Sequence, residues 1–225
     1  MLTIEDIYEV YEKHKDDYNA KVEEFVVGHK QFHFNSQTAL VGIVNLSTDS
    51  WFNHSICYTS EQAIRRGKVL TARGADIIDI GAEASSKNTQ RADDLKQNSL
   101  LLPILETLSQ EKVLTSVDTY YPEVARECLK AGANVINFTG IENSEEMYRA
   151  VADFDAAIVI CYVQGKHARD VGDFDFMSGT DTMNLLYDYF AKEIETATKL
   201  GVRKIFIDPA VGLGYTNFYY QYKYL

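Results

Sequence analysis

The sequence predicts an α/β chain of the TIM (β/α)8 barrel class, and three observations predict it. From Ala39 onward, β-prone runs alternate strictly with helical runs, with no antiparallel interruption. The strands are apolar throughout, as in a parallel sheet covered on both faces. A polar residue closes each of them: Asn45, Glu83, Asp118, Asn137, Gln164 and Asp208. A doubly wound sheet is the alternative, but it gathers its ligand groups at one switch point. A barrel recruits them from many strands at one face, and that spread favours the barrel.

The elements follow in order. Thr3 to Val22 reads as an amphipathic helix capped by Thr3, with Ile4, Ile7, Tyr8, Tyr11, Tyr18 and Val22 as its apolar stripe. Glu24 to Phe34 reads as a hairpin turning at Gly28. Residues 1–35 are therefore an extension, and residues 36–225 the barrel domain. Ala39–Val44 is the first barrel strand. A helix follows from Ser60, its N-cap, to Arg73, closed by Gly74. Ala75–Ile80 is a strand, Arg91–Leu108 a helix and Val113–Val117 a strand. Pro122 opens the next helix, where its missing N–H costs nothing, and Gly132 ends it. Ala133–Ile136 is a strand, Ser144 caps a helix, Ala156–Cys161 is a strand, Asp181–Leu200 a helix and Lys204–Ile207 a strand. These make six β/α steps, whereas a closed barrel has eight strands. The expectation is that C-terminal strands are missing and that the native protein is longer.

Composition narrows the function classes. A formal charge of −11 disfavours nucleic acid and anionic membrane as partners. Cys57, Cys128 and Cys161 show no CxxC spacing and read as reduced thiols of a cytoplasmic protein. Glu5, Asp6 and Glu9 interrupt any apolar leader, so no signal peptide is expected. No stretch approaches about 18 uninterrupted apolar residues, so no membrane span is expected. No His/Cys/Asp cluster suggests a structural metal, and His54 and His167 read as surface loop residues.

The most informative stretch runs from Ser116 to Gly140. It reads as strand, helix and strand, with Asp118 and Asn137 at the two strand ends. In a βαβ unit the strands are parallel and adjacent, so both side chains open into one crevice. Taken alone, Asp118 would equally suit a helix cap, and Asn45 a turn.

Five segments together resemble the dihydropteroate synthase family. Val41-Gly-Ile-Val-Asn-Leu-Ser-Thr-Asp-Ser-Trp51 is similar to its first-strand signature, and Gly74-Ala-Asp-Ile-Ile-Asp-Ile-Gly-Ala-Glu83 to its second. Asp118-Thr119 and Ile136-Asn137 match the third and fourth strand ends, and Ile207-Asp-Pro-Ala-Val-Gly-Leu-Gly214 the sixth. The resemblance covers about residues 40–214 in the family's order and implies a barrel of pterin-binding type.

The resemblance also implies an activity: condensation of a 6-hydroxymethyl-dihydropterin diphosphate with p-aminobenzoate in folate biosynthesis. By residue match, Asp118, Asn137 and Asp208 would hold the pterin ring. Asn45 and Asp118 would be the catalytic pair, with Asn45 beside Mg²⁺ and the diphosphate. Asp49, Ser85, Ser86 and Lys87 would line the substrate from the loops. A pterin, an aromatic amine and, as in many barrels of this family, a second copy of the chain would be the partners. Several residues depart from the pattern. Ala82-Glu-Ala-Ser-Ser-Lys87 stands where the family reads Gly-Glu-Ser-Thr-Arg-Pro. Phe138 replaces an Asp, Cys161-Tyr-Val-Gln-Gly165 a His-containing segment, and Tyr215 a Lys. A non-catalytic pterin-binding paralogue and a pterin-dependent methyltransferase relative are therefore the alternatives.

Overall fold

A computed structural model describes residues 3–48, 53–84, 91–163, 165–170 and 179–210. Its central element is a six-stranded parallel sheet formed by β3 (Val41–Asn45), β4 (Ile77–Gly81), β5 (Thr115–Thr119), β6 (Val135–Phe138), β7 (Ala157–Cys161) and β8 (Lys204–Asp208). Spatial order equals chain order, and every neighbouring pair is parallel. A doubly wound sheet reverses its order at a switch point, and this one does not. The sheet is thus an arc of a barrel, and β3 and β8 are its two edges among the described residues.

Alternation along each strand divides two hydrophobic layers. Ile78, Ile80, Val117, Ile136, Phe138, Ile158 and Ile160 point outward. They pack under helices α3 (Ser60–Ala72), α4 (Asp94–Gln110), α5 (Pro122–Lys130), α6 (Ser144–Asp153) and α7 (Gly179–Lys199). Leu101, Ile104, Leu105 and Leu108 line one face of α4, and Val124, Ala125, Cys128 and Leu129 one face of α5. Ile77, Leu114, Val135 and Ala157 instead face the barrel interior near the strand starts.

The hairpin of β1 (Val26–Val27) and β2 (Lys30–Gln31) closes that lower end. Gly28 has φ +57°, and a Cβ there would lie 2.6 Å from the Leu114 side chain. Phe25, Phe34 and Phe206 meet edge to face with centroids 5.1–5.4 Å apart, and Phe32 stacks on Phe34. Lys30 pairs with Asp76, which also accepts the Leu40 N–H at 2.7 Å. With the bottom plugged by apolar rings, the polar strand ends are left at the opposite mouth.

Boundaries differ from expectation where caps compete. The first helix breaks at His14 into α1 (Ile4–Lys13) and α2 (Lys15–Asn19). Thr3 caps it in a full capping box with Asp6, but Ile4, Ile7, Tyr8 and Tyr11 are exposed. Among the described residues no tertiary packing is there to carry the helix past the break. Thr59, one residue before Ser60, caps α3 through the Gln62 N–H. Asp93 caps α4, moving its start to Asp94 rather than Arg91. Asn143, in the left-handed region at φ 58°, rather than Ser144, precedes α6. No described helix is long and apolar enough to cross a membrane.

Candidate functional site: a slot of strand-end carboxyl groups

Register places the site. Asn45 pairs with Gly81, Gly81 with Asp118, and Asp118 with Asn137, so these positions form one row across β3 to β6. The gap in the row is built in: a Cβ on Gly81 would lie 3.3 Å from Asn45 Oδ1 and 3.6 Å from Asp118 Oδ2. The missing side chain keeps a slot open between amide and carboxyl. Asp208 is paired with Cys161 one step further up, and its charge still acts on Asp79 and Asp118. Asn45, Asp118, Asn137 and Asp208 therefore converge on one interior face, as the sequence expected. Asp49, Ser85, Ser86, Lys87, Gln164 and Tyr215 lie outside the described residues.

Hydrogen bonds orient each group. Thr139 Oγ1 donates to Asp118 Oδ1 at 2.8 Å. Asn137 Nδ2 donates to Asp79 Oδ2 at 3.3 Å. Asp208 Oδ1 accepts the Ala210 N–H at 2.8 Å, across a turn in which Ala210 takes φ +55°. Asn45 Nδ2 donates to Ser55 Oγ at 2.7 Å, which fixes the amide and aims Oδ1 at the slot. Two deep acceptors, Asp79 Oδ1 and Asn137 Oδ1, have no partner among the described residues. Orphaned buried acceptors are costly, so a group that donated to these two would be held favourably.

Crowding sets the protonation. Burial, then the charge of Asp79, pushes the Asp118 carboxyl up to about 7. Burial likewise raises Asp79, opposed by hydrogen bonds from Ser116 and Asn137 and reinforced by Asp208. Like charges gathered in one buried site oppose one another's ionisation, which is why Asp79 and Asp118 are both raised. The slot thus suits a flat heterocycle with ring N–H and NH₂ donors beside acceptors, which Asn137 can address both ways.

Asp79 escaped the sequence reading, although an acid inside the apolar run Ile77-Ile78-Asp79-Ile80 at an inward position was a usable signal. Arg169 was also missed. It is buried, donates to the Ala84 carbonyl at 3.0 Å, and pairs with Glu83 at 3.3 Å. A single Arg in an irregular loop carries no periodicity to mark it. His167 is a correction. Rather than lying on a surface loop, it is half-buried and stacks on Tyr120 with centroids 4.2 Å apart. Burial, then Arg91, depresses its pKa. His54 is exposed, as expected.

As for metals, no group of three or more His, Cys, Asp or Glu side chains among the described residues could hold an ion. What the slot offers a hard cation is Asn45 Oδ1, a neutral oxygen that fits as one ligand of Mg²⁺ beside ligand and solvent oxygens.

Residues 41–220 match the model of the family described as pterin-binding enzymes. The chain is 29% identical over 194 residues to the mitochondrial folate synthesis bifunctional protein of Pisum sativum, covering 80% of this chain and 36% of that one. It is also 29% identical over 197 residues to the dihydropteroate synthase of Clostridium beijerinckii, covering 84% of this chain and 68% of that one. A crystal structure of dihydropteroate synthase from Clostridium difficile, solved in the presence of pteroic acid, superposes with TM-score 0.69 at 30% identity. That match covers 82% of this chain and 68% of the other. The chain spans about a third of the length of the pea protein.

Proposed function

Because the chain belongs to the pterin-binding enzyme family, we propose that it condenses 6-hydroxymethyl-dihydropterin diphosphate with p-aminobenzoate, as a dihydropteroate synthase. One observation carries this reading: the row Asn45–Gly81–Asp118–Asn137, with Asp79 and Asp208 beside it, presents acceptors around an open slot. The pteroic acid named for the clostridial structure contains both halves of such a product.

The chemistry asks little of general acids. The exocyclic C–O bond breaks and its electron pair leaves on the diphosphate. The resulting carbon is cationic, the amine lone pair attacks it, a C–N bond forms, and the nitrogen sheds a proton. Asp118, Asn137 and Asp208 hold the ring edge. Ionised Asp118 stabilises positive charge as it spreads from the exocyclic carbon into the ring. Asp79, bonded to Asn137, fixes the amide's orientation. Asn45 Oδ1 would contribute one oxygen to Mg²⁺, the diphosphate supplying others, and the ion would offset the leaving group's charge. Holding amine and cation in one slot contributes the rest of the rate.

We further propose a cytoplasmic protein, supported by three buried free thiols. Incubation with the pterin diphosphate, p-aminobenzoate and Mg²⁺ tests the activity. Stoichiometric diphosphate and dihydropteroate are expected. Tight pterin binding with no diphosphate release would instead favour a non-catalytic paralogue, the reading to which the loss of the family's loop Arg at Ser86 points.

A further inference from the structure

We propose that the cleft between Arg91, Tyr121, Lys166 and His167 is an oxyanion site that takes a phosphate group. It is separate from the pterin slot: of the side chains around the small cleft beside Asp118, only Tyr120 also lines this one. Its chemistry does not depend on the reaction performed in the slot. The cleft encloses about 110 Å³, and four connections at the strand-end mouth build it. Arg91 comes from just before α4, Tyr121 from after β5, Asn143 from after β6, and Lys166 and His167 from after β7.

These side chains are donors in search of an acceptor. In a chain of formal charge −11 an exposed cation ordinarily finds a carboxylate. Arg91 does not. Among the described residues its partners are phenols, with Nη2 donating to the Tyr121 hydroxyl at 3.3 Å and Tyr120 beside it. A phenol that accepts one hydrogen bond still has its own O–H to give. His167 Nδ1 accepts the Arg169 N–H at 3.3 Å, which puts the neutral ring's proton on Nε2. That Nε2–H is a further donor, and stacking on Tyr120 steadies the ring. Asn143, the N-cap of α6, makes no side-chain cap bond, so its amide is not committed to the helix.

One acid opposes. Glu142 also lines the cleft and pairs with Lys166 at 3.2 Å. Both side chains are more than half exposed, and an exposed pair of this kind is weak. Lys166 can therefore turn to a stronger acceptor. A phosphate held by Arg91 is one, because the planar fork meets two of its oxygens at once. Its double charge also draws the ammonium more strongly than a single carboxylate does. Donors arriving from four connections suit a tetrahedral group better than a planar carboxylate.

The test follows the His167 ring signals by NMR as inorganic phosphate or phenyl phosphate is added at constant ionic strength. The parent is compared with Arg91→Met and Glu142→Gln. All three should melt alike, since Arg91 and Glu142 are exposed. Saturation with a Kd of about 1 mM is expected for at least one of the two ligands. Tighter phenyl phosphate identifies a phosphate ester as the ligand, and phosphate at least as tight identifies the free ion. Either result upholds the site. Arg91→Met should weaken binding by about tenfold or more, the loss of one charge-assisted hydrogen bond. Glu142→Gln should tighten it by about twofold to fivefold. Failure of both ligands to saturate at about twentyfold that Kd would overturn the proposal. So would an affinity unchanged by Arg91→Met, as phosphate bound in the pterin slot would show, or one weakened by Glu142→Gln.

Discussion

Replacing Asp118 with Asn should weaken pterin binding and stabilise the fold at the same time. The carboxyl accepts the Thr139 hydroxyl at 2.8 Å and lies beside Asp79. Asn keeps an acceptor for Thr139 but turns an N–H donor toward a ring edge that also donates. One charge-assisted hydrogen bond is lost, a cost of about 1.5–3 kcal/mol, or roughly 10–150-fold in Kd. Stability moves the other way. The folded-state pKa is raised from its ordinary value near 3.8 to about 7, so between those values the native chain holds a proton that the unfolded chain releases. The parent therefore loses stability as pH rises from about 4 to 7, by up to about 4 kcal/mol if the whole shift is ascribed to this one group. Below both values nothing is lost. Asp118→Asn should melt above the parent at pH 8, with the difference vanishing near pH 4. By the same logic, parent affinity for pterin should strengthen as pH rises toward 7 and level off beyond it. Thermal melts across pH with fluorescence titrations of pterin decide the matter. Undiminished affinity, or a lower melting point at pH 8, would refute the assignment of Asp118 as a crowded, ligand-facing carboxyl.

Other substitutions probe the same geometry. Gly81→Val places branched atoms where even a Cβ lies 3.3 Å from Asn45 Oδ1. It should abolish measurable pterin binding while circular dichroism stays that of the parent. Gly132→Ala and Gly74→Ala both force an L residue to φ +102°, but among the described residues only at position 132 does the new Cβ meet a neighbour, the Ser109 side chain. Gly132→Ala should therefore lower the denaturation midpoint clearly more than Gly74→Ala. Burial pushes the Cys128 thiol up to about 12, so it should resist a thiol reagent at pH 8 until the chain is denatured.

Much of this structure was legible in the sequence for one reason: parallel strands buried on both faces leave only their ends for polar groups. Asp118 and Asn137 stood out because each closes a β-prone run at its last inward position, and register then puts them side by side. Gly28 was readable as the hairpin turn because the conformation there, φ +57°, is one glycine enters without strain. The strand order was also recoverable, since alternation without interruption leaves few topologies. Asp79 was hidden because its neighbours made it look like an ordinary strand residue, and its importance comes from Asn137 and Asp208 on other strands. Arg169 and Tyr120 were hidden for a related reason. Their partner Glu83 lies 86 and 37 positions away, and no local pattern encodes a contact at that distance. The split at His14 went unseen because the apolar stripe of α1 has the right period, yet none of its residues is buried.

The most direct test of the slot is a crystal structure of the protein with 6-hydroxymethyl-pterin bound. The ring should lie at the strand ends, its N–H and NH₂ groups within about 3.2 Å of Asp118 and Asp208 carboxyl oxygens and Asn137 Oδ1. A pterin held elsewhere, such as in the cleft lined by Arg91, Tyr121 and Lys166, with Asp118 and Asn137 Oδ1 left unengaged, would contradict it.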